Sequence, residues 1–557
     1  MNALQKLFRL YRTLKYVPAE ALKARIIARG KQVYYKSPLF GLSTLQASLE
    51  PAEPIWVGVE LVAGDPVRGA ELAAGKFSFV GTTIPLDTPP RTWLPLQASP
   101  LWLFHLHYHE WLDDLRAAGQ RAVAQKLVAD WLVHFAGYHT VAWHPYPTSL
   151  RVVAWLTHGG WLMEGADDDL KLAFYESLQR QAAYVAQNLE WDIGANHLLK
   201  NLKAMIYAGL AFEQPDMYAR GMAGLLHQLP VQILPDGMHY ELSPMYLAQV
   251  LRDLLDIRAV LRKTGGAPKI IDDTVRQLGT ALGFFVHGDG RLALFNDGAE
   301  LDEGFLAQLL RLSGADDAPD ALPHAGYARL SRGGTLVLFD AGKVGPDENP
   351  GHAHADTLSF ELSVGRERVI VNSGTYAYQH NLRNAYRATA AHSTVSLDGA
   401  DSAEVWANFR VGRRPQNVEM VVQGGGEALP GGDIWVEGAH DGYAYVGALH
   451  RRKILLAGDG SRVRGEDEIS FRKASRRVKA HFHLHPDIQV RLLSDTSAEL
   501  ETAHGVKLAF SIEGGRLDVR DSRYAPQFGV MKPTRQLIIH GRASGQMCRL
   551  GWQLQRI

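Results

Sequence analysis

NPGHAHADTLSFELSVGRERVIVNSG, residues 349–374, sets a polar cluster directly before a run with the period of β-strands. From Thr357 onward apolar and polar residues alternate, and Gly365 interrupts the alternation where a hairpin has to turn. The same pattern recurs on both sides of it. RLSRGGTLVLFDAG, STVSLDG, NVEMVVQGGG, GRLDVRD and RQLIIHGRA read as antiparallel strands separated by Gly-rich turns. After roughly residue 325 the chain is therefore expected to build two sheets stacked as a sandwich.

Working back from that stretch, the pattern changes period. Between about residues 98 and 315, segments such as LWLFHLHYHEWLDDLRAAG, RAVAQKLVADWLVHFAGY, DDLKLAFYESLQRQAAYVAQNLE and PMYLAQVLRDLLDIRAVLRKTG carry apolar residues at three- and four-residue spacing. Breaks at Gly119, Gly137, Gly159, Gly194, Gly265 and Gly266 are short enough for antiparallel helical hairpins. About nine or ten helices in succession imply stacked pairs, as a solenoid or closed into a toroid. The chain thus divides into a mixed, Pro- and Gly-rich region over 1–95, a helical domain over 96–320 and a strand domain over 321–557. Its class is α+β and multidomain.

The bulk numbers agree. A chain of 557 residues is too long for one core. Lys+Arg 59 against Asp+Glu 59 leaves no overall basic excess, so no nucleic-acid partner is expected. The single Cys548 excludes an intrachain disulfide framework and a zinc site built from several cysteines. No apolar run reaches the length of a transmembrane helix. The start, MNALQKLFRLYRTLKYVPAEALKARIIARGK, is basic and amphipathic but lacks the apolar core and cleavage site of a secretory signal. A cytoplasmic location follows from that reading, with a periplasmic or secreted one compatible if a signal was trimmed. So short a basic segment is expected to pack on its own domain rather than on a membrane surface.

The densest polar cluster is NPGHAHAD, with His352, His354 and Asp356. Downstream, Asn372 and His392 each sit beside a strand-like run. His354, Asn372 and His392 could converge across neighbouring strands as a metal site, or serve as polar residues satisfying buried backbone at a sheet edge. In the helical half, GANHLLKN places Asn196 and His197 at a helix start, where Asn is an ordinary N-cap. LPDGMHYELSPMYLAQV offers His239, Tyr240, Glu241 and Tyr246, the last near a helix start behind Pro244. Two histidine runs are decoys. His481, His483 and His485 share one strand face but stand about 7 Å apart, too far to hold one ion easily. His105, His107 and His109 lie on a helix at a spacing that scatters them round it.

Together these segments resemble the heparinase II/III-like family of polysaccharide lyases. The match runs through GHAHADTLSFELSVGRERVIVNSGTYAY and YRATAAHSTVSLDG, with LWLFHLHYHEWL, WHPYPTSLRVVAWL, GANHLLKN and ELSPMYLAQVLRDLLD in the expected order, over about residues 75–485. The resemblance implies an incomplete (α/α) toroid of helical hairpins followed by an antiparallel β-sandwich. It also implies β-elimination on acidic glycans of glycosaminoglycan, alginate or exopolysaccharide type. It assigns Tyr246 as catalytic phenol, His352 as its partner, and Asn196 and His197 to the substrate carboxylate. His354 and His392 match metal-binding positions. Asn372 stands where the family typically has an aspartate, so a structural divalent metal such as zinc would gain no charge from it. Tyr240 is the alternative phenol.

Elimination explains these residue types. The proton at C5 of a uronic acid is acidic only when the neighbouring carboxylate is neutralised. Asn196 could hydrogen-bond that group and Arg151 or Arg387 add charge, preorganised donors being worth ~3–4 kcal/mol each. A base then takes the proton and an acid protonates the departing O4. Trp143, Tyr146 and Trp406 suit sugar stacking. A glycoside hydrolase on the same scaffold would instead need two carboxylates flanking the bond, with Glu241, Asp253 and Asp356 as candidates. A non-catalytic glycan-binding protein of polysaccharide assembly would need neither. A homo-oligomer is compatible with everything above.

Overall fold

The computed structural model describes residues 3–37, 40–41, 52–423, 432–472, 476–541, 543 and 545–557. Within it the chain forms two compact units. One comprises Met1–Val17, Ile233–Ala248 and Arg276–Ile557, the other Pro18–Gln232 and Gln249–Val275. Neither unit is one continuous stretch of the chain. The reason is visible at Ile233–Ala248, whose polar groups are satisfied by the strand-bearing unit. Asp236 accepts from the backbone of His324 and Ala325, Tyr327 donates to the Leu242 carbonyl, and Ser243 donates to that of Asp297.

The helical unit is built from successive hairpins of an incomplete (α/α) toroid. Pro145–Leu162 turns into Asp168–Gln187, and Ala195–Ala211 into Pro215–Gln232. Local chemistry starts these helices. Ser99 caps Pro100–Tyr108 through the Trp102 amide, and Asp167 caps Asp168–Gln187 through that of Leu170. His107 in Pro100–Tyr108 and His109, which ends that helix, are structural. Trp131 donates its indole N–H to His107 at 3.0 Å and Trp155 donates to His109 at 2.9 Å.

The other unit contains the antiparallel β-sandwich. One sheet runs, neighbour to neighbour, Val418–Gln423, Ile434–His440, Ala448–Leu456, Arg462–Phe471, Met547–Arg556, Lys507–Glu513, Ser497–Glu501 and Gln489–Ser494. The second runs Gly515–Gln527, Val530–Gly541, Val478–Leu484, Glu367–Val371, Phe360–Val364, Thr335–Asp340, Tyr327–Arg332 and Ala321–Leu322, with Val395–Leu397 beside Val478–Leu484. The Gly-rich continuation expected after Gln423 lies outside the described residues. Between the sheets Phe339, Phe360, Leu362, Val436, Ile454, Phe482, Phe510 and Trp552 form one core, with Phe360 stacked on Trp552 at 5.2 Å. The quoted stretch forms the hairpin Phe360–Val364 and Glu367–Val371, turning at Gly365 with φ +58°.

The alternation of Phe360–Val364 does not translate into one wet face. Ser359, Glu361 and Ser363 are as buried as their apolar neighbours. His287 covers that side, meeting Ser363 at 3.0 Å and Glu361 at 3.0 Å, while the Leu294 and Asn372 amides donate to Glu361. The run His481 to His485 is structural as expected. His481 bonds Ser396 and Gln536, and His483 bonds Ser522 and the Ala390 carbonyl.

Candidate active site

Four segments of the sandwich-bearing unit meet around the buried carboxylate of Asp297. They are Met238–Tyr246, Asn296–Asp297, the short 3-10 turn Pro350–His352 with the residues after it, and Asn372–His392. Helix Pro244–Thr264 begins with Pro244 and presents Tyr246 in its first turn. The Tyr246 ring lies 4.0 Å from that of His352, and its hydroxyl is 2.5 Å from the hydroxyl of Tyr378. Glu241 approaches the other side of His352, at 3.7 Å from Nε2.

Asp297 organises this cluster. Its carboxylate accepts from His352 Nδ1 at 2.9 Å, His354 Nε2 at 2.9 Å and Thr375 at 3.1 Å, and Arg383 clamps it with both guanidinium nitrogens. Burial alone would raise this carboxyl. The charge of Arg383 and the bonds from the two histidines outweigh burial and hold it well below the usual carboxylate range. Asp297 therefore fixes the His352 tautomer, leaving the proton on Nδ1 and the lone pair on Nε2. Tyr246 is displaced the opposite way. Burial, reinforced by Tyr378 and Asp297, pushes its phenol well above the ordinary value, so it rests protonated at neutral pH.

Below His352 lies a second pair. His354 Nδ1 and His392 Nε2 are 3.0 Å apart. The outer nitrogens are committed: His354 Nε2 faces the Asp297 carboxylate and His392 Nδ1 faces the Ala388 carbonyl at 2.9 Å, so both carry hydrogens. Two bare lone pairs then face each other, which requires a proton or a cation between them. Burial lowers both imidazoles to about 4, disfavouring the proton. Asp356 offers a carboxylate oxygen within 4.8 Å of one ring nitrogen of each histidine, a donor set that could hold a zinc-like ion. Asn372, the third ligand expected from the sequence, is occupied elsewhere. Its carbonyl oxygen accepts from the Ser393 amide at 3.0 Å and its amide donates to Ser359, and the carboxylate grouped with the two histidines is that of Asp356.

Several expected substrate groups are scaffold instead. Arg387 is buried, donates to the carbonyls of Ala353 and Asn408, and is lowered to about 9 by burial; it staples the loop behind His352. Tyr240 packs edge-on against His239 at 5.0 Å, and it is Tyr246 that meets His352. Asp297, Tyr378 and Arg383 were missed. Asp297 stands in FNDG, which reads as a plain turn, and indeed Asn296 there has φ +56°. Its side chain bonds the Leu242 carbonyl and the His354 amide, a role no spacing rule signals.

In the helical unit, Asn196 is not an N-cap. Gly194 (φ +68°) and Ala195 (φ +47°) make the turn, and Asn196 enters the first turn buried, its carbonyl oxygen unpartnered among the described residues. His197 bonds Glu190 at 2.9 Å and lies 4.1 Å from the Tyr146 ring. Glu190 also accepts from Asn201, and these contacts overcome its burial and keep it ionised. Arg151 is buried core, donating to Gln181 and the His107 carbonyl and lying 4.2 Å over Trp131. Trp143 is likewise buried, donating to the Phe135 carbonyl. Asp253 is neutralised by Lys200 at 2.8 Å and Lys203 at 2.9 Å. With Asp253 salt-bridged and Asp356 facing two imidazoles, no free carboxylate pair for a hydrolase emerges from the expected candidates.

Comparison with known proteins covers most of the chain. The family model Heparinase II/III N-terminus matches residues 92–312, and Heparinase II/III-like, C-terminal, matches 315–553. FtsZ-localized protein C of Caulobacter vibrioides is 26% identical over 461 residues, 78% of each chain. Heparin-sulfate lyase of Pedobacter heparinus is 25% identical over 264 residues, 41% of this chain and 39% of that protein. Among solved structures, a heparinase III superposes with a TM-score of 0.73 at 15% identity, covering 96% of this chain and 92% of its own, a likeness of fold.

Proposed function

This chain belongs to the heparinase II/III-like family, and from that premise we propose that it is a polysaccharide lyase acting on uronic-acid-containing glycans by β-elimination. One observation carries the reading: a protonated, buried phenol, Tyr246, lies 4.0 Å from an imidazole, His352, whose tautomer is fixed by a buried carboxylate. Such a pair supplies an acid and a base on one sugar ring.

In the proposed reaction His352 Nε2 takes the C5 proton. The electron pair left on C5 forms the C4–C5 double bond, the C4–O4 bond breaks, and Tyr246 donates its proton to O4. Tyr378, 2.5 Å from the Tyr246 hydroxyl, holds that phenol in place and shares its proton. The family resemblance assigns Asn196 and His197 to the substrate carboxylate. A metal bound by His354, His392 and Asp356 would supply a fixed charge that braces the loop carrying His352.

The test is ultraviolet absorbance of the 4,5-unsaturated uronate on a panel of acidic polysaccharides. Wild type is expected to generate it, and Tyr246→Phe and His352→Ala each to lose about 10²-fold or more of the rate with unchanged circular dichroism. Near-normal rates in both variants would overturn the mechanism. A second reading has one observation in its favour: the relative that matches 78% of the chain is named for its localisation with FtsZ rather than for a reaction. Glycan binding without any unsaturated product would favour it.

A further inference from the structure

The helix Ala3–Leu14 is docked with its faces exchanged. Leu7, Phe8, Tyr11 and Leu14 fall on one side at helical spacing, and they are 63%, 55%, 67% and 38% exposed. The polar side faces the protein. Arg9 and Arg12 both bond the buried carboxylate of Glu404, at 3.0 Å and at 2.7 and 2.6 Å. Thr13 accepts from the Trp406 indole at 3.1 Å, and the Arg414 guanidinium lies 4.4 Å over Tyr16. A surface helix held by its own unit would bury the apolar stripe and expose the arginines. The sequence expectation that this segment packs on its own domain is met only through its polar face.

We propose that this helix is an interfacial anchor for an anionic lipid surface. Residues 3–16 carry Lys6, Arg9, Arg12 and Lys15 and no acidic residue, in a chain whose formal charge is zero overall. Lys6 and Lys15 are exposed beside the apolar stripe, and exposed Arg410 lies 5.0 Å over Trp406, next to the docked side. An apolar stripe edged by cations matches acyl chains below and phosphates around it, and the hydroxyl end of Tyr11 suits the headgroup level. A second copy of the same helix is the poorer occupant, because it would bring like charges together. The Glu404 clamp keeps the helix lying along the protein with its apolar side outward, so the anchor is preorganised. The inference is independent of the lyase reading.

The test is co-sedimentation of the full-length protein with phosphatidylcholine vesicles, with and without phosphatidylglycerol. Wild type is expected to bind the anionic vesicles and to be released by salt. Phe8→Glu/Tyr11→Glu should lower the partition coefficient by about tenfold or more without changing the circular dichroism, since both side chains already face solvent. Lys6→Glu/Lys15→Glu should remove the preference for phosphatidylglycerol. Binding that is absent, or equal in wild type and Phe8→Glu/Tyr11→Glu, overturns the proposal. So does self-association that this variant abolishes in the absence of vesicle binding, which would make the face a contact between copies.

Discussion

Asp297 carries more of the site than any other residue, since His352, His354, Thr375 and Arg383 all converge on it. Asp297→Asn keeps the shape but loses the charge that compensates Arg383 and can present an amide hydrogen to His352 Nδ1. We expect a loss of turnover of about 10²-fold and a stability loss of ~3 kcal/mol from the uncompensated buried guanidinium. Steady-state kinetics and urea unfolding would read the two effects separately. Tyr378→Phe is milder. It removes only the hydroxyl that meets Tyr246, so kcat should fall by about tenfold with KM and the unfolding midpoint nearly unchanged. A variant as active as wild type would show that Tyr378 takes no part in holding the phenol.

At the scale of elements, the site depends on loops held by strands. The His352 loop is tied behind by Arg387 to Ala353 and Asn408, and beneath by the His354–His392 pair. Zinc added to purified protein is expected to raise its unfolding temperature by mass action on the folded state, and His392→Ala to abolish the rise. No zinc-dependent shift in wild type would refute the metal assignment. The hairpin from Phe360 to Val371 turns at Gly365, φ +58°, where an added Cβ meets open space. Gly365→Ala should therefore cost only the left-handed backbone, ~1 kcal/mol, in the urea midpoint. A loss several times larger would show that the left-handed backbone is not the main cost at this turn.

Across the molecule, buried neutral histidines set the acid limit. Burial lowers His481 to about 4 and His483 to about 3. The unfolded chain, near the ordinary value of about 6.5, binds protons that the folded sandwich refuses. Stability is therefore full above that value and declines as pH falls towards 4 and then 3. Urea midpoints across that window should fall, and His483→Gln should flatten the slope; a slope unchanged by the substitution would assign the loss to other groups.

The periodicity around residues 327–371 and 98–264 was enough to read hairpins of strands and of helices, because alternation and helical spacing are local properties of the chain. The motif around His352 and the first turn holding Tyr246 were likewise legible. Burial was not. Arg151, Arg387 and Trp143 have the residue types that grip a sugar, yet each has its donors spent on interior partners. Asp297 and Arg383, unremarkable in sequence, became the centre. Which face of Ala3–Leu14 turns outward was also undecided by its amphipathic pattern, since the pattern is the same whether Glu404 or a core lies beneath it. Residue order thus determined the elements and the chemical types available to this protein. Which charges are compensated and which remain free was settled by packing in three dimensions, because desolvation and partnering depend on segments tens to hundreds of residues apart.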